Sequence, residues 1–189
     1  MTNRTRIHIA ATVAIAVEAV VGWHLVSDDP DPDPDPFADR GECFPDDIDL
    51  GYEVGCRVTP PADMSEAIAR AADEFDIDPW MVAVTVHRES GCDQYALGSA
   101  GEIGLAQVNP SVWMGTLRRN GIARRPQELY DVRTNLRASA YVLSRAHRAA
   151  DGDLFGTFRR YNGSGPKARK YAREQVSAYA SVALPDGAL

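Results

Sequence analysis

From about residue 60 onward, apolar and polar positions recur at the 3.6-residue period of helices, and no run alternates as a half-buried strand does. Ile68, Ala71, Ala72 and Phe75 share one face, with Asp63 and Glu66 spaced as a capping box in front of them, so a first helix is expected to end near Phe75. Asp78-Pro79 then pairs an N-cap residue with a proline at the first helical position. The residues after it, Trp80-Met81-Val82-Ala83-Val84-Thr85-Val86, are apolar nearly all round, the pattern of a buried helix, which the spacing carries to about Ser90. Val82, Val86 and Glu89 fall on one face of that helix. Gly91, Gly98, Gly101 and Gly104 punctuate the loop that follows, Leu105 to Val108 reads as the entry to a short helix, and Pro110-Ser111-Val112-Trp113 starts another. Asp131 is placed to cap a long helix with a buried stripe of Leu136, Ala140, Leu143 and Ala146-His147, and segments 153–161 and 167–182 complete the set. The fold class is all-α, with at most a small hairpin near Tyr95 to Ile103, and no internal repeat is evident.

The segment before residue 60 has a different character. Residues 7–26 form an apolar run of about twenty residues, long enough to cross a bilayer, with Arg4 and Arg6 before it and Asp28 and Asp29 after it. That asymmetry directs the N-terminus to the cytoplasm and everything beyond residue 27 outward. Glu18, His8 and His24 interrupt the run, so it reads either as an uncleaved signal-anchor or as a signal peptide; both export the rest. Asp28 to Pro36 alternates aspartate and proline, which makes a semi-rigid, self-repelling spacer of about 3 Å per residue. The expected organisation is a targeting segment over 1–27, an acidic linker over 28–59, one helical domain over 60–183 and a tail over 184–189.

Charge follows the same division. Residues 1–59 hold 4 Lys+Arg against 12 Asp+Glu, so the net −7 of the 189-residue chain resides there and the domain is close to neutral. Between Met114 and Arg173 the domain is locally basic, which suits either an anionic polymer or plain solvated helix faces. No recognition motif accompanies the charge, so nucleic acid is not an expected partner.

Cys43, Cys56 and Cys92 lie where disulfides are permitted on this topology. Three thiols allow three single bridges and leave one over. Cys56 to Cys92 would tie the segment before the domain to the loop after Glu89, whereas Cys43 to Cys56 would close a local loop. No Cys-x-x-Cys pair occurs and the histidines are scattered at 8, 24, 87 and 147, so neither a metal nor a cofactor is expected.

The chemistry concentrates between Glu89 and Pro110. A carboxylate late in a helix is opposed by the macrodipole, and an apolar setting raises its pKa, which is what an acid that protonates a glycosidic oxygen near pH 7 needs. Glu89-Ser90, then Gly101-x-x-Gly104-Leu-x-Gln107-Val-x-Pro110, then Tyr161-Asn162-Gly163 after further helices resemble, in order and spacing, the soluble-lytic-transglycosylase domain of the lysozyme-like superfamily. The resemblance covers roughly residues 60–182. It implies a small all-helical, lysozyme-like transglycosylase domain with a cleft for a peptidoglycan glycan strand, in which Glu89 alone serves as acid and then base. The muramoyl 6-hydroxyl would attack the anomeric carbon and leave a 1,6-anhydro sugar. It further implies that Ser90 supports the turn after the acid, that Gln107 bonds either sugar or loop, and that Tyr161 and Asn162 line the cleft opposite Glu89.

Three positions depart from the family pattern. The methionine before the glutamine is Ala106, and the serine three residues before a glycine is Gly98, with Ser99 displaced by one and a candidate to supply the hydroxyl. The turn after Tyr-Asn is Gly163-Ser164-Gly165. Trp113 is the candidate to stack on a sugar ring, and Trp80, opening a buried helix, reads as core. Two-carboxylate glycosidases place a second acid about 5 to 9 Å from the first. Asp93 and Glu102 are the other carboxylates near the motif, with Asp93 the residue to activate water if the enzyme is a lysozyme-type hydrolase. A silent wall-binding module is the alternative from another class. The expected setting is the cell envelope outside the cytoplasm, with the membrane and a secretion or conjugation apparatus as possible partners.

Overall fold

The computed structural model describes residues 55–183, so the expected membrane segment, the Asp-Pro linker, Cys43 and the tail lie outside the described residues. Six α-helices run in order: α1 (Met64–Phe75), α2 (Pro79–Ser90), α3 (Pro110–Arg119), α4 (Val132–Ala149), α5 (Leu154–Asn162) and α6 (Gly165–Ala183), with a 3-10 turn at Pro126–Tyr130 before α4. Among the described residues there is no strand, and the small hairpin reduces to isolated antiparallel bridges of Leu97 with Ile103 and of Ile103 with Val108. No described helix is long and apolar enough to cross a membrane.

Side chains present in the local sequence set most of the boundaries. Asp78, Asn109, Asp131 and Asp153 each accept a backbone N–H of the first helical turn, from Trp80, Ser111, Thr134 and Gly156 respectively. The capping box at α1 does not form: Asp63 makes no side-chain cap bond and instead faces Arg133 of α4 at 3.5 Å. α2 is buried from Trp80 through Val86 because it runs between α1, α4 and α6 and has no solvent face along that stretch. Leu136 and Leu143 of α4, Phe158 of α5 and Met81 of α2 meet in the core, all fully buried. Truncating such a side chain costs about 2 to 5 kcal/mol. Arg137 of α4 grips Glu74 of α1 through two parallel bonds, Nε to Oε2 at 2.7 Å and Nη2 to Oε1 at 2.6 Å.

The expected short helix at Leu105 to Val108 is instead a tight turn. Gly104 and Gln107 hold φ of +77° and +47°, which a right-handed helix excludes. The segment folds back so that Ile103 and Val108 exchange both backbone hydrogen bonds at 3.1 Å.

Candidate active site

Glu89 lies in the last turn of α2, which ends at Gly91 in the left-handed conformation (φ +67°). Its carboxyl is largely withdrawn from water, yet the side chain keeps an accessible edge. Burial is the main cause that raises its pKa, and the negative charge of Glu102 acts in the same direction; a hydrogen bond from Tyr171 and the charge of Arg88 oppose them. Tyr171 of α6 donates its hydroxyl hydrogen to Glu89 Oε1 at 2.7 Å. Behind it, Gln175 reaches the Tyr171 oxygen at 3.4 Å and the Thr85 hydroxyl at 3.5 Å. Thr85 is held in turn by the Met81 carbonyl at 2.8 Å. Burial and the Glu89 charge push the Tyr171 phenol well above its usual range, so it stays a neutral donor.

Tyr161 of α5 feels the charge of the same carboxylate. Its hydroxyl donates to the Ala106 carbonyl at 3.0 Å, which leaves Ser139 of α4 to donate to the phenol oxygen at 3.3 Å. Burial first, and the Glu89 charge second, raise its pKa above the ordinary tyrosine value.

The loop that faces these groups is organised from beneath by a residue outside any motif. Asn135 of α4, 1% exposed, donates to the carbonyls of Ile103 at 2.8 Å and Leu129 at 2.7 Å, and accepts the Ala106 N–H at 2.9 Å. Gly104 fits over it because it has no Cβ: one there would run into Asn135 Nδ2 and lie 2.5 Å from the Leu129 carbonyl. Gln107 points into the loop, its amide donating to the carbonyls of Gly104 at 3.0 Å and Ala96 at 3.2 Å.

The other residues singled out by the sequence lie at various depths. Ser90 bonds back to the Val86 carbonyl at 3.3 Å. Ser99 is exposed in the loop, Asn162 is exposed at the end of α5, and Trp113 is half-buried on α3 against the core. Trp80 is buried, as expected of core. Asp93 accepts the Tyr95 N–H at 2.9 Å in a local turn. The Glu102 carboxylate accepts the Ala100 N–H at 3.0 Å and lies over Gly98. Cys92, directly after the end of α2, is bridged to Cys56 with Cα atoms 5.5 Å apart, so of the three possible pairings the one reaching back before the domain is formed. Among the described residues no cluster of His, Cys, Asp and Glu is arranged to hold a metal.

Sequence reasoning did not single out Tyr171, Gln175 or Asn135. A signal was present for the first two: Tyr171, Gln175 and Tyr179 recur every four residues along the buried stripe of α6, an arrangement of polar-tipped side chains that a purely structural stripe rarely needs. The Tyr179 hydroxyl, at the far end, donates to the Asp78 carboxylate at the start of α2.

Comparison with known proteins bears on the family and the fold. The family model described as "Transglycosylase SLT domain" matches residues 66–182. The membrane-bound lytic murein transglycosylase E of Buchnera aphidicola is 36% identical over 75 residues, which are 38% of this chain and 34% of that protein. The X-ray structure of an inactive mutant of lytic transglycosylase Slt from Pseudomonas aeruginosa aligns with a TM-score of 0.57 at 21% identity, over 64% of this chain and 24% of that one. The chain thus spans about a third of the curated relative and a quarter of the solved one, and the structural likeness bears on the fold.

Proposed function

Since this chain belongs to the transglycosylase SLT domain family, we propose that it is a peptidoglycan lytic transglycosylase that cuts the glycan strand between N-acetylmuramic acid and N-acetylglucosamine. Glu89 in its protonated form gives its proton to the leaving oxygen as the bond from that oxygen to the anomeric carbon breaks. As a carboxylate it then takes the proton of the muramoyl 6-hydroxyl, whose oxygen closes onto the anomeric carbon as a 1,6-anhydro ring. The observation that carries this reading is the setting of Glu89: a carboxyl whose pKa is raised chiefly by burial, at a helix end, with an accessible edge.

In this reading Tyr171 orients the acid and steadies it once charged, and Tyr161 fixes the Ala106 carbonyl at the cleft floor. Gln107 serves the loop and Ser90 the turn after the acid, whereas Ser99, Asn162 and Trp113 are the residues that meet sugar. The Buchnera relative is named as membrane-bound, which fits placement in the cell envelope through residues 1–27. Local opening of the wall for a secretion or conjugation apparatus is one such role.

Mass spectrometry of muropeptides released from purified peptidoglycan by the full chain, beside Glu89→Gln, tests the proposal. Products one water lighter than the hydrolytic ones, lost in the variant, are expected. Release of reducing-end products alone makes the enzyme a lysozyme-type hydrolase on the same fold. Binding without release by either protein makes it a wall-binding module.

A further inference from the structure

The chain leaves α2 through two successive left-handed residues, Gly91 at φ +67° and Cys92 at φ +74°. Glycine adopts that conformation freely, whereas a residue with a side chain is strained in it and stays there only where the surroundings over-determine it. Residues 55–58 supply that constraint. They precede residues 66–182 that the family model matches, and they meet the end of α2 in three ways. Cys56 is bridged to Cys92. The N–H groups of Arg57 and Val58 both donate to the Gly91 carbonyl, at 3.1 and 3.4 Å. The Arg57 side chain lies over Gly91: a Cβ on that glycine would collide with Nε and stand 2.9 Å from both Cζ and Nη2.

Each of these ties reaches Gly91 or Cys92, two and three residues after Glu89. The last turn of a helix carries carbonyls without intrahelical partners and frays first. In α2 that turn carries the acid. We propose that residues 55–58 form a clasp that positions Glu89, with Arg57 as its positioning residue: packed on Gly91, it holds the turn from which the acid's side chain starts. The inference rests on the transglycosylase reading and adds to it an element outside the family-matched residues. Tyr171 holds the carboxyl itself from α6, so the clasp fixes the backbone and the tyrosine fixes the tip. Arg57 acts through Gly91 and not on the carboxyl, for which Arg88 is the cation whose charge counts. Its guanidinium also places a cation at the helix end where the macrodipole is negative, which favours the ordered turn.

The test is kcat and KM for muropeptide release from purified peptidoglycan by the full chain in detergent. The parent and Arg57→Ala are compared with the disulfide intact and with it opened by a phosphine reductant, at a temperature where circular dichroism shows each protein folded. Arg57→Ala should lower kcat by about tenfold at unchanged KM, short of the roughly hundredfold that an ångström of misplacement can cost. A merely structural residue would lower the melting temperature and leave kcat of the folded molecules where it was. Opening the bridge should lower kcat as well, and Arg57→Ala should then cost less than about twofold more, because both changes release the same turn. Should the reduced protein not fold, the bridged comparison decides alone. A kcat unchanged in Arg57→Ala, or losses that simply multiply, overturns the clasp and leaves the transglycosylase intact. No release from the parent overturns the underlying reading and this inference with it.

Discussion

Tyr171 donates to Glu89 Oε1 at 2.7 Å across a separation of 82 residues, joining the middle of α6 to the end of α2. The bond favours the charged form of Glu89, so its removal sends the already raised pKa further up. Tyr171→Phe should lower kcat/KM by roughly tenfold, corresponding to about 1.5 kcal/mol for a hydrogen bond to a charged group. It should also shift the alkaline limb of the pH–rate profile to higher pH. A lower rate with an unmoved limb would reduce Tyr171 to a packing residue.

Activity should fall as pH rises through the raised pKa of Glu89, because in the proposed mechanism this acid begins the cycle protonated. The same shift affects stability. The folded state holds the Glu89 proton more tightly than the unfolded chain, so its stabilising contribution is complete below the unfolded pKa and is lost as pH rises through the folded one. Glu89→Gln, which is inactive in this mechanism, should melt higher than the parent by a margin that grows as pH rises from below the ordinary carboxylate range through the raised pKa. Calorimetry that finds a constant difference across that range would contradict the raised pKa.

The Cys56–Cys92 bridge closes a loop with a sequence separation of 36. A loop of that size stabilises by about 3 to 4 kcal/mol in the chain-entropy account. Cys56→Ser should lower the denaturant midpoint accordingly and loosen the chain directly after Glu89. Since the sequence holds 3 cysteines, thiol titration of the unreduced, unfolded protein should find one thiol per chain. Finding three would mean that the bridge is not formed.

Asn135→Ala would leave the Leu129 carbonyl and the Ala106 N–H without this partner and take one of two donors from the Ile103 carbonyl, which keeps the Val108 N–H. Buried groups left unpaired cost about 1 to 3 kcal/mol each, so a loss of about 3 kcal/mol or more is expected in chemical denaturation. Activity at a temperature where the variant remains folded should drop too, as the Gly104 to Gln107 turn loses its support. Gly104→Ala should behave similarly, since its Cβ meets the same amide at a positive φ.

How much of this was legible beforehand depended on range. The α2 boundaries, the caps at Asp78 and Asp131, and the placement of Glu89 at a buried helix end follow from periodicity and from bonds spanning two or three residues. Such bonds are written in adjacent positions. The two local readings that failed, the α1 capping box and the helix at Leu105 to Val108, were overridden by α4: Arg133 attracted Asp63, and Asn135 took the backbone groups a helix would have used.

By itself the sequence determined a helical domain, its order of elements and an acid with an apolar approach. Tertiary structure alone decided which groups meet that acid. Tyr171 reaches it from α6, Tyr161 and Asn135 shape the loop beside it, Cys92 finds Cys56, and Glu102 rather than Asp93 is the carboxylate whose charge it feels. The physical reason is that a hydrogen bond or a Coulomb interaction falls off over a few ångströms of space and takes no account of distance along the chain. Only the packing of α2 against α4 and α6 brings these partners within that range.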